Sequence, residues 1–279
     1  MPRPLAPGRR LASTAVFTRD GTRTVDLTDV RWIDPVHLVT VAAEAEAARR
    51  RGLRFRLRGP AAPDRARYAA RMRLGELVDD LGGTHDLLAV LEASASEHLV
   101  EVARLASPTD VNRLAALVHD RVAVLDRDLA HALHQGVAEI GQNVCDHARS
   151  IGFVAAQTIP RRGELRFAVA DPGVGLLATL RGQGAGSDKA AIDFALSGVS
   201  SRGGRGTGLP STVRAVTRLG GYLYLASGAA AAMITRQRTA NSAGDPFAGT
   251  IVEGRVPTHR MPTGGADAWH DGRRTERGR

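Results

Sequence analysis

The sequence contains a single cysteine and no long apolar segment. One cysteine excludes an intrachain disulfide and, with the nine histidines scattered along the chain, a cysteine-based metal site. No uninterrupted apolar run reaches the roughly 20 residues that span a bilayer, and the first residues lack the apolar core of a secretory signal. The sequence therefore predicts a cytoplasmic protein.

Positive charge is in excess, at +9, and most of it lies near the two ends of the chain. Residues 1–12 and 255–279 each carry three more positive than negative side chains, which leaves an ordinary balance of +3 for the body. The Gly-, Pro- and Arg-rich tails, residues 1–12 and 259–279, are predicted to be disordered. Because the body is near charge balance, nucleic acid is not the expected partner.

Strands and helices alternate over residues 13–92. Period-two apolar patterns predict strands, helical spacing predicts helices, and glycines or prolines separate them. The predicted strands cover residues 15–17, 22–28 and 53–58, and the predicted helices cover residues 36–51 and 63–81. This alternation predicts a small α/β domain.

A polar edge is predicted on a helix that covers residues 134–147. Glu139, Asn143 and His147 recur every four residues, so they lie on neighbouring lines of one helical surface. A carboxylate and an amide one turn apart suit the orientation of a water and the binding of Mg²⁺. The alternative is a solvated helix edge, with His147 either in the pocket or packed against the sheet.

Two glycine-containing segments follow this helix. A predicted strand over residues 165–170 runs into Asp171-Pro-Gly-Val-Gly175, where an aspartate suits a purine amino group and glycines let the main chain approach a ligand. A glycine cluster over residues 203–208 opens a helical pattern and suits phosphates. A hairpin turn and a flexible hinge are the respective alternatives. Thr250, before a last strand, adds a hydroxyl.

These blocks, in this order and spacing over residues 94–258, resemble the GHKL ATPase superfamily of gyrase, the heat-shock chaperone, histidine kinases and MutL. The resemblance implies a Bergerat-fold, two-layer α/β ATPase domain over residues 93–258 that binds ATP with Mg²⁺. Carried over by position, it implies that Glu139 is the catalytic base and that Asn143 is the Mg²⁺ ligand.

The resemblance also implies which residues contact the nucleotide. Asp171 pairs with the adenine amino group, Gly173 and Gly175 lie beside the ring, and Thr250 holds adenine through water. The residues between Gly175 and Gly203 form a lid, whose glycines suit mobility. The residues implied for the phosphates are Arg205, Gly206, Thr207 and Gly208.

Residues 13–92 contain Val-Asp-Leu-Thr-Asp-Val-Arg-Trp-Ile-Asp-Pro-Val-His-Leu, which resembles the STAS domain of anti-sigma-factor antagonists. Where those proteins carry a phosphoacceptor serine after the aspartate, this chain has Pro35 and Val36, which lack a hydroxyl. The resemblance therefore implies a degenerate module for docking or dimerisation, with the neighbouring domain as one candidate partner. Deletion of residues 1–92 is expected to leave nucleotide binding by residues 94–258 largely intact.

The predicted fold class is α/β (an α+β sandwich), with a STAS-like domain before a GHKL domain. Together the resemblances imply a cytoplasmic ATP/Mg²⁺-binding regulatory protein, similar to anti-sigma-factor serine/threonine kinases that act by partner switching. The implied partner is a sigma factor or a STAS-type antagonist, and a homodimer is left open. Whether the chain is an enzyme, as a protein kinase or an ATPase, is also left open.

Two other functions remain open. The first is a nucleotide-gated protein-binding module with little or no turnover. The second is a histidine kinase, with His119 as the phosphoacceptor. His119 precedes Glu139 by only 20 residues, which leaves no room for a dimerising hairpin of two long helices. The histidine-kinase hypothesis is therefore disfavoured.

Overall fold

A computed structural model describes most of the chain, and within it the fold is mixed α/β, with two β-sheets and eight α-helices. No helix in the described part is long and apolar enough to cross a membrane. The two predicted tails and the predicted linker near residue 93 lie outside the described residues. The described residues are 15–89, 99–123, 127–147, 150–199 and 208–258.

The N-terminal part forms a four-stranded sheet of order β1-β2-β3-β4, with three helices. Strand β1 is antiparallel to β2, and the other neighbours are parallel. The elements are β1 (Ala15–Arg19), β2 (Thr22–Asp26), α1 (Pro35–Arg50), β3 (Arg54–Arg58), α2 (Pro63–Arg71), α3 (Leu74–Asp80) and β4 (Thr84–His85). The three predicted strands and the first helix are found close to their expected bounds.

The single helix predicted over residues 63–81 is wrong, because the structure has two helices there. Arg73, between α2 and α3, has a left-handed backbone with φ of 60°, which a continuous right-handed helix does not contain. Met72 and Leu74 are fully buried on either side of the break. The apolar pattern therefore continues through the break and does not reveal it.

The C-terminal part forms a five-stranded antiparallel sheet of order β5-β6-β7-β9-β8. Strand β6 was not predicted, because it is buried on both faces over most of its length and lacks the alternation of a half-exposed strand. The elements are β5 (Leu99–Leu105), α4 (Pro108–Ala123), α5 (Arg127–His147), β6 (Gly152–Ile159), β7 (Glu164–Asp171), α6 (Gly175–Leu180), α7 (Asp188–Ser197), α8 (Gly208–Arg218), β8 (Tyr222–Ile234) and β9 (Thr239–Pro257).

Both faces of the five-stranded sheet are covered. Helices α4, α5 and α8 pack on one face, over alternate strand residues such as Phe167, Val169 and Val252. Helix α1 of the N-terminal part lies on the other face, along β6 and β7. There it shares one hydrophobic cluster with Phe153 and Ala168.

Helix α1 therefore joins the two parts of the chain. It buries 12 of its 16 residues, because it contacts β2 and β3 on one side and β6 and β7 on the other. The predicted boundary near residue 93 separates two sheets but not two cores. Deletion of residues 1–92 was expected to leave nucleotide binding by residues 94–258 largely intact. It would remove α1 from this shared core and uncover an apolar face of the five-stranded sheet.

Candidate functional site

Asp171 ends strand β7, and its side chain is only 4% exposed. The backbone N–H of Gly173 donates a hydrogen bond to Asp171 Oδ1 at 2.9 Å. Burial raises the pKa of Asp171 to about 6, although the backbone N–H groups of Gly173 and Thr250 act to lower it. A buried carboxylate with a perturbed pKa at a strand end is a candidate ligand-binding group.

Asp171, Thr250 and Ser227 form a row across strands β7, β9 and β8. The register pairs Asp171 with Thr250 and Thr250 with Ser227. Side chains alternate along a strand, so the row faces the helical layer, as do the core residues two positions away. Those core residues are Val169, Val252 and Leu225.

Ser227 is a site residue that the sequence did not reveal. It is 1% exposed, its hydroxyl donates to the carbonyl oxygen of Gly249 at 2.7 Å, and it accepts a hydrogen bond from the N–H of Leu176 at 2.9 Å. It therefore ties β9 to the beginning of α6. Its importance depends on its pairing with Thr250, which no local pattern encodes.

Two glycines allow close packing of the backbone around Asp171. Gly249 has a φ of 117°, and a Cβ there would overlap the carbonyl oxygen of Asp171 and lie 2.8 Å from the nitrogen of Gly173. Gly175 has a φ of 73°, and a Cβ there would lie 2.9 Å from Ser227 Oγ. Gly175 was predicted to lie in the site, whereas Gly249 was missed.

Gly249→Ala is expected to destabilise the fold by roughly 2–3 kcal/mol, because it adds overlap with the backbone to an unfavourable φ. Gly186→Ala is the matched control, since a Cβ at Gly186 meets nothing within 4 Å. Urea unfolding of both variants measures the difference. Equal unfolding midpoints would contradict the close packing of β9 against the Asp171 turn.

Helix α5 carries the residues of the predicted polar edge. Glu139 is half-buried and Asn143 is exposed on that helix. A Cβ at Gly152 would overlap Val144 Cγ1 and lie 3.3 Å from the carbonyl oxygen of Ala170. The C-terminal half of α5 is therefore next to the end of β7. The side chain of His147 lies outside what the structure describes.

Two further glycines, which the sequence analysis did not use, hold α5 close to its neighbours. A Cβ at Gly136 would overlap Thr212 of α8, and one at Gly141 would lie 2.8 Å from Val111 of α4. Of the predicted phosphate-binding residues, Gly208 is the first residue of α8. The others, at positions 205, 206 and 207, lie outside the described residues.

The segment after Gly175, predicted as a lid, forms helices α6 and α7. It has its own small apolar cluster around Leu180, Ala185 and Ala191. The N–H of Ala229 in β8 donates to Asp188 Oδ2 at 2.9 Å. Residues 188–197 of this segment form the helix α7, and mobility of the segment stays a prediction.

No protein-family profile matches the chain, and no curated protein matches it at a significant level. Function is therefore inferred from the residues of this site.

Proposed function

We propose that the chain is an ATP- and Mg²⁺-binding regulatory protein of the GHKL type. In this proposal, residues 93–258 form a Bergerat-fold nucleotide domain and residues 13–92 form a degenerate STAS-like unit. The supporting observation is the buried carboxylate of Asp171, held at a strand end by backbone donors and enclosed by closely packed glycine backbone.

Asp171 suits adenine better than guanine. The exocyclic amino group of adenine donates a hydrogen bond, and a buried carboxylate is an acceptor that gains from such a donor. Guanine has a carbonyl oxygen at the equivalent position, which would place two acceptors together in a desolvated site. Thr250 lies beside Asp171 in the register and adds a hydroxyl for a bridging water.

Asn143 and Glu139 suit the phosphate end of the nucleotide. Mg²⁺ usually takes one or two protein ligands and completes its shell with waters and phosphate oxygens. The exposed amide of Asn143 offers one such oxygen, and Glu139 lies one turn away to orient a water or an acceptor hydroxyl. Among the described residues no group of three or more His, Cys, Asp or Glu is arranged to hold a metal, and a Mg²⁺–nucleotide site does not need one.

Calorimetric titration of the full chain with ATP, ADP and GTP, with and without Mg²⁺, tests the proposal. We expect ATP and ADP to bind and GTP to bind much more weakly. Absence of adenine-nucleotide binding, or equal affinity for GTP, would overturn the assignment of the site.

Nucleotide affinity is expected to decrease as the pH is lowered, because adenine binds best to the ionised carboxylate of Asp171. The pKa of Asp171 in the free protein is raised to about 6, so below that pH the ligand competes with a proton. The affinity for ADP should fall about tenfold between about pH 7.5 and about pH 5. An affinity that is constant over this range would show that Asp171 does not contact the ligand.

A binding module with little turnover is the second candidate. The observation in its favour is that α6 begins at Gly175 and that the N–H of Leu176 in α6 donates to Ser227 Oγ. A ligand at Asp171 would therefore affect the positions of α6 and α7. Turnover by wild type and by Glu139→Gln separates the two functions, because the amide keeps the shape but takes no proton. Absence of turnover by wild type would favour the binding module, and equal measurable rates would show that Glu139 is not the base.

Phosphotransfer by this chain would need an acceptor on another protein. The turn after Asp34, where STAS antagonists carry their serine, has buried Pro35 and Val36, and the nearby Thr40 hydroxyl is buried and donates to the carbonyl of Val36 at 2.7 Å. We propose a sigma factor or a serine-bearing STAS antagonist as the partner. A homodimer is a second proposed assembly.

The histidine-kinase alternative gains no support from the position of His119. It lies on α4, with its ring centroid 5.0 Å from that of His131 on α5. Both helices cover the five-stranded sheet and belong to the same core. His119 is therefore part of the proposed nucleotide domain rather than of a separate dimerising hairpin.

A further inference from the structure

Helix α1 touches both ends of strand β7. At its N-terminal end, Asp34 Oδ2 lies 3.1 Å from Arg166 Nη1, near the beginning of β7. At its C-terminal end, Arg50 Nη1 donates to the carbonyl oxygen of Pro172 at 3.3 Å, one residue beyond β7. The 16-residue helix is about 24 Å long, close to the roughly 20 Å between residues 166 and 172 of an extended strand. Residues 15–89, which we call the N-terminal unit, therefore reach the loop that contains Asp171.

The contact of Arg50 acts on one peptide group. The carbonyl oxygen of Pro172 accepts from Arg50, and the N–H of Gly173 in the same peptide group donates to Asp171 Oδ1 at 2.9 Å. A peptide group is planar and rigid, so fixing its carbonyl also fixes its N–H. A cation at the carbonyl also strengthens the N–H as a donor, because linked hydrogen bonds polarise one another.

We propose that Arg50 is a positioning residue that holds the loop from Asp171 to Gly175 in its ligand-binding conformation. Through Arg50, the N-terminal unit sets the affinity of the adenine site. The inference about affinity rests on the proposed nucleotide function, whereas the inference about the loop conformation does not.

The other end of α1 makes this coupling rigid. Asp34, Arg166 and Glu164 form a buried chain of ion pairs, with Arg166 Nη2 3.0 Å from Glu164 Oε2. The Tyr68 hydroxyl of α2 donates to the Gln157 side chain of β6. These contacts fix the N-terminal unit on the sheet, so the backbone of Arg50 is held near the end of β7 by the docking of the whole unit.

Arg50→Ala is the test, with Arg51→Ala as the matched control. Both side chains are exposed at the end of α1, where Arg51 is the C-cap residue. We expect Arg50→Ala to weaken ADP binding about five- to tenfold, Arg50→Lys to recover part of the loss, and Arg51→Ala to bind as wild type. The pH midpoint for ADP binding should rise in Arg50→Ala, because a weaker Gly173 donor stabilises the ionised carboxylate less.

Hydrogen exchange of the peptide that covers residues 171–175, measured without nucleotide, gives an independent readout. Faster exchange in Arg50→Ala but not in Arg51→Ala supports the positioning role. Unchanged exchange and unchanged ADP affinity in Arg50→Ala overturn it. Faster exchange in a chain whose wild type binds no nucleotide supports control of the loop by Arg50 and overturns the proposed nucleotide function.

Discussion

Asp171→Asn should reduce affinity for adenine nucleotides roughly ten- to hundredfold, which corresponds to about 1–3 kcal/mol for a buried polar group left without its partner. When it is ionised, the carboxylate of Asp171 can accept hydrogen bonds but cannot donate them. The Asn amide would either present its NH₂ group to the adenine amino group or lose the bond from Gly173. Titration with ADP near neutral pH measures the loss.

The same variant should be at least as stable as wild type near neutral pH. The pKa of Asp171 is about 6 in the fold, above its ordinary value of 3.8. The folded chain therefore binds more protons than the unfolded chain between these two values, so stability falls as pH rises through that window. Near neutral pH the buried charge costs about 3 kcal/mol, and the neutral amide removes this cost.

Asp29→Asn is the control for both measurements. Asp29 is exposed in the turn between β2 and α1. Its replacement should change neither nucleotide affinity nor stability by more than a few tenths of a kcal/mol. Full affinity in a folded Asp171→Asn variant would remove the carboxylate from the site.

Local patterns predicted the parts of the site that lie in one segment. The four-residue spacing of Glu139 and Asn143 predicted their shared helix edge, and the strand before Asp171 predicted its position at a strand end. Both follow from the periods of helices and strands. Of the residues around Asp171, Gly173 and Gly175 were predicted because they follow it directly in sequence, and Thr250 was predicted from the resemblance rather than from its pairing with Asp171.

Ser227, Gly249 and Arg50 escaped prediction because their roles depend on contacts between distant segments. Ser227 and Gly249 act through the register of β8, β9 and β7, which a single sequence does not specify. Arg50 acts through the docking of α1 on the sheet. It contacts Pro172, which lies 122 residues further along the chain. An exposed arginine at a helix end is ordinarily explained by the helix dipole.

A buried ionic cluster joins the N-terminal unit to the sheet. Arg166 is 5% exposed and lies between Asp34, at 3.1 Å, and Glu164, at 3.0 Å. Arg255 pairs with the other oxygen of Glu164, and the His37 ring nitrogen Nδ1 lies 2.7 Å from Asp34 Oδ1. Arg166 therefore bridges the carboxylates of Asp34 and Glu164.

Arg166→Met should destabilise the fold by about 3–5 kcal/mol, because it leaves two buried carboxylates without their shared cation. Arg162→Ala is the control: Arg162 lies 4.6 Å above the Trp32 ring at an exposed edge, and its loss should cost about 1 kcal/mol or less. Adding Asp34→Asn to Arg166→Met should restore part of the stability, because the buried negative charge that Arg166 no longer neutralises is then removed. Urea unfolding followed by Trp32 fluorescence, with Trp269→Phe as background, reports on this interface directly.

A loss below about 1 kcal/mol in Arg166→Met would show that water or other groups satisfy the carboxylates. The ion pairs would then not be what holds the N-terminal unit on the sheet.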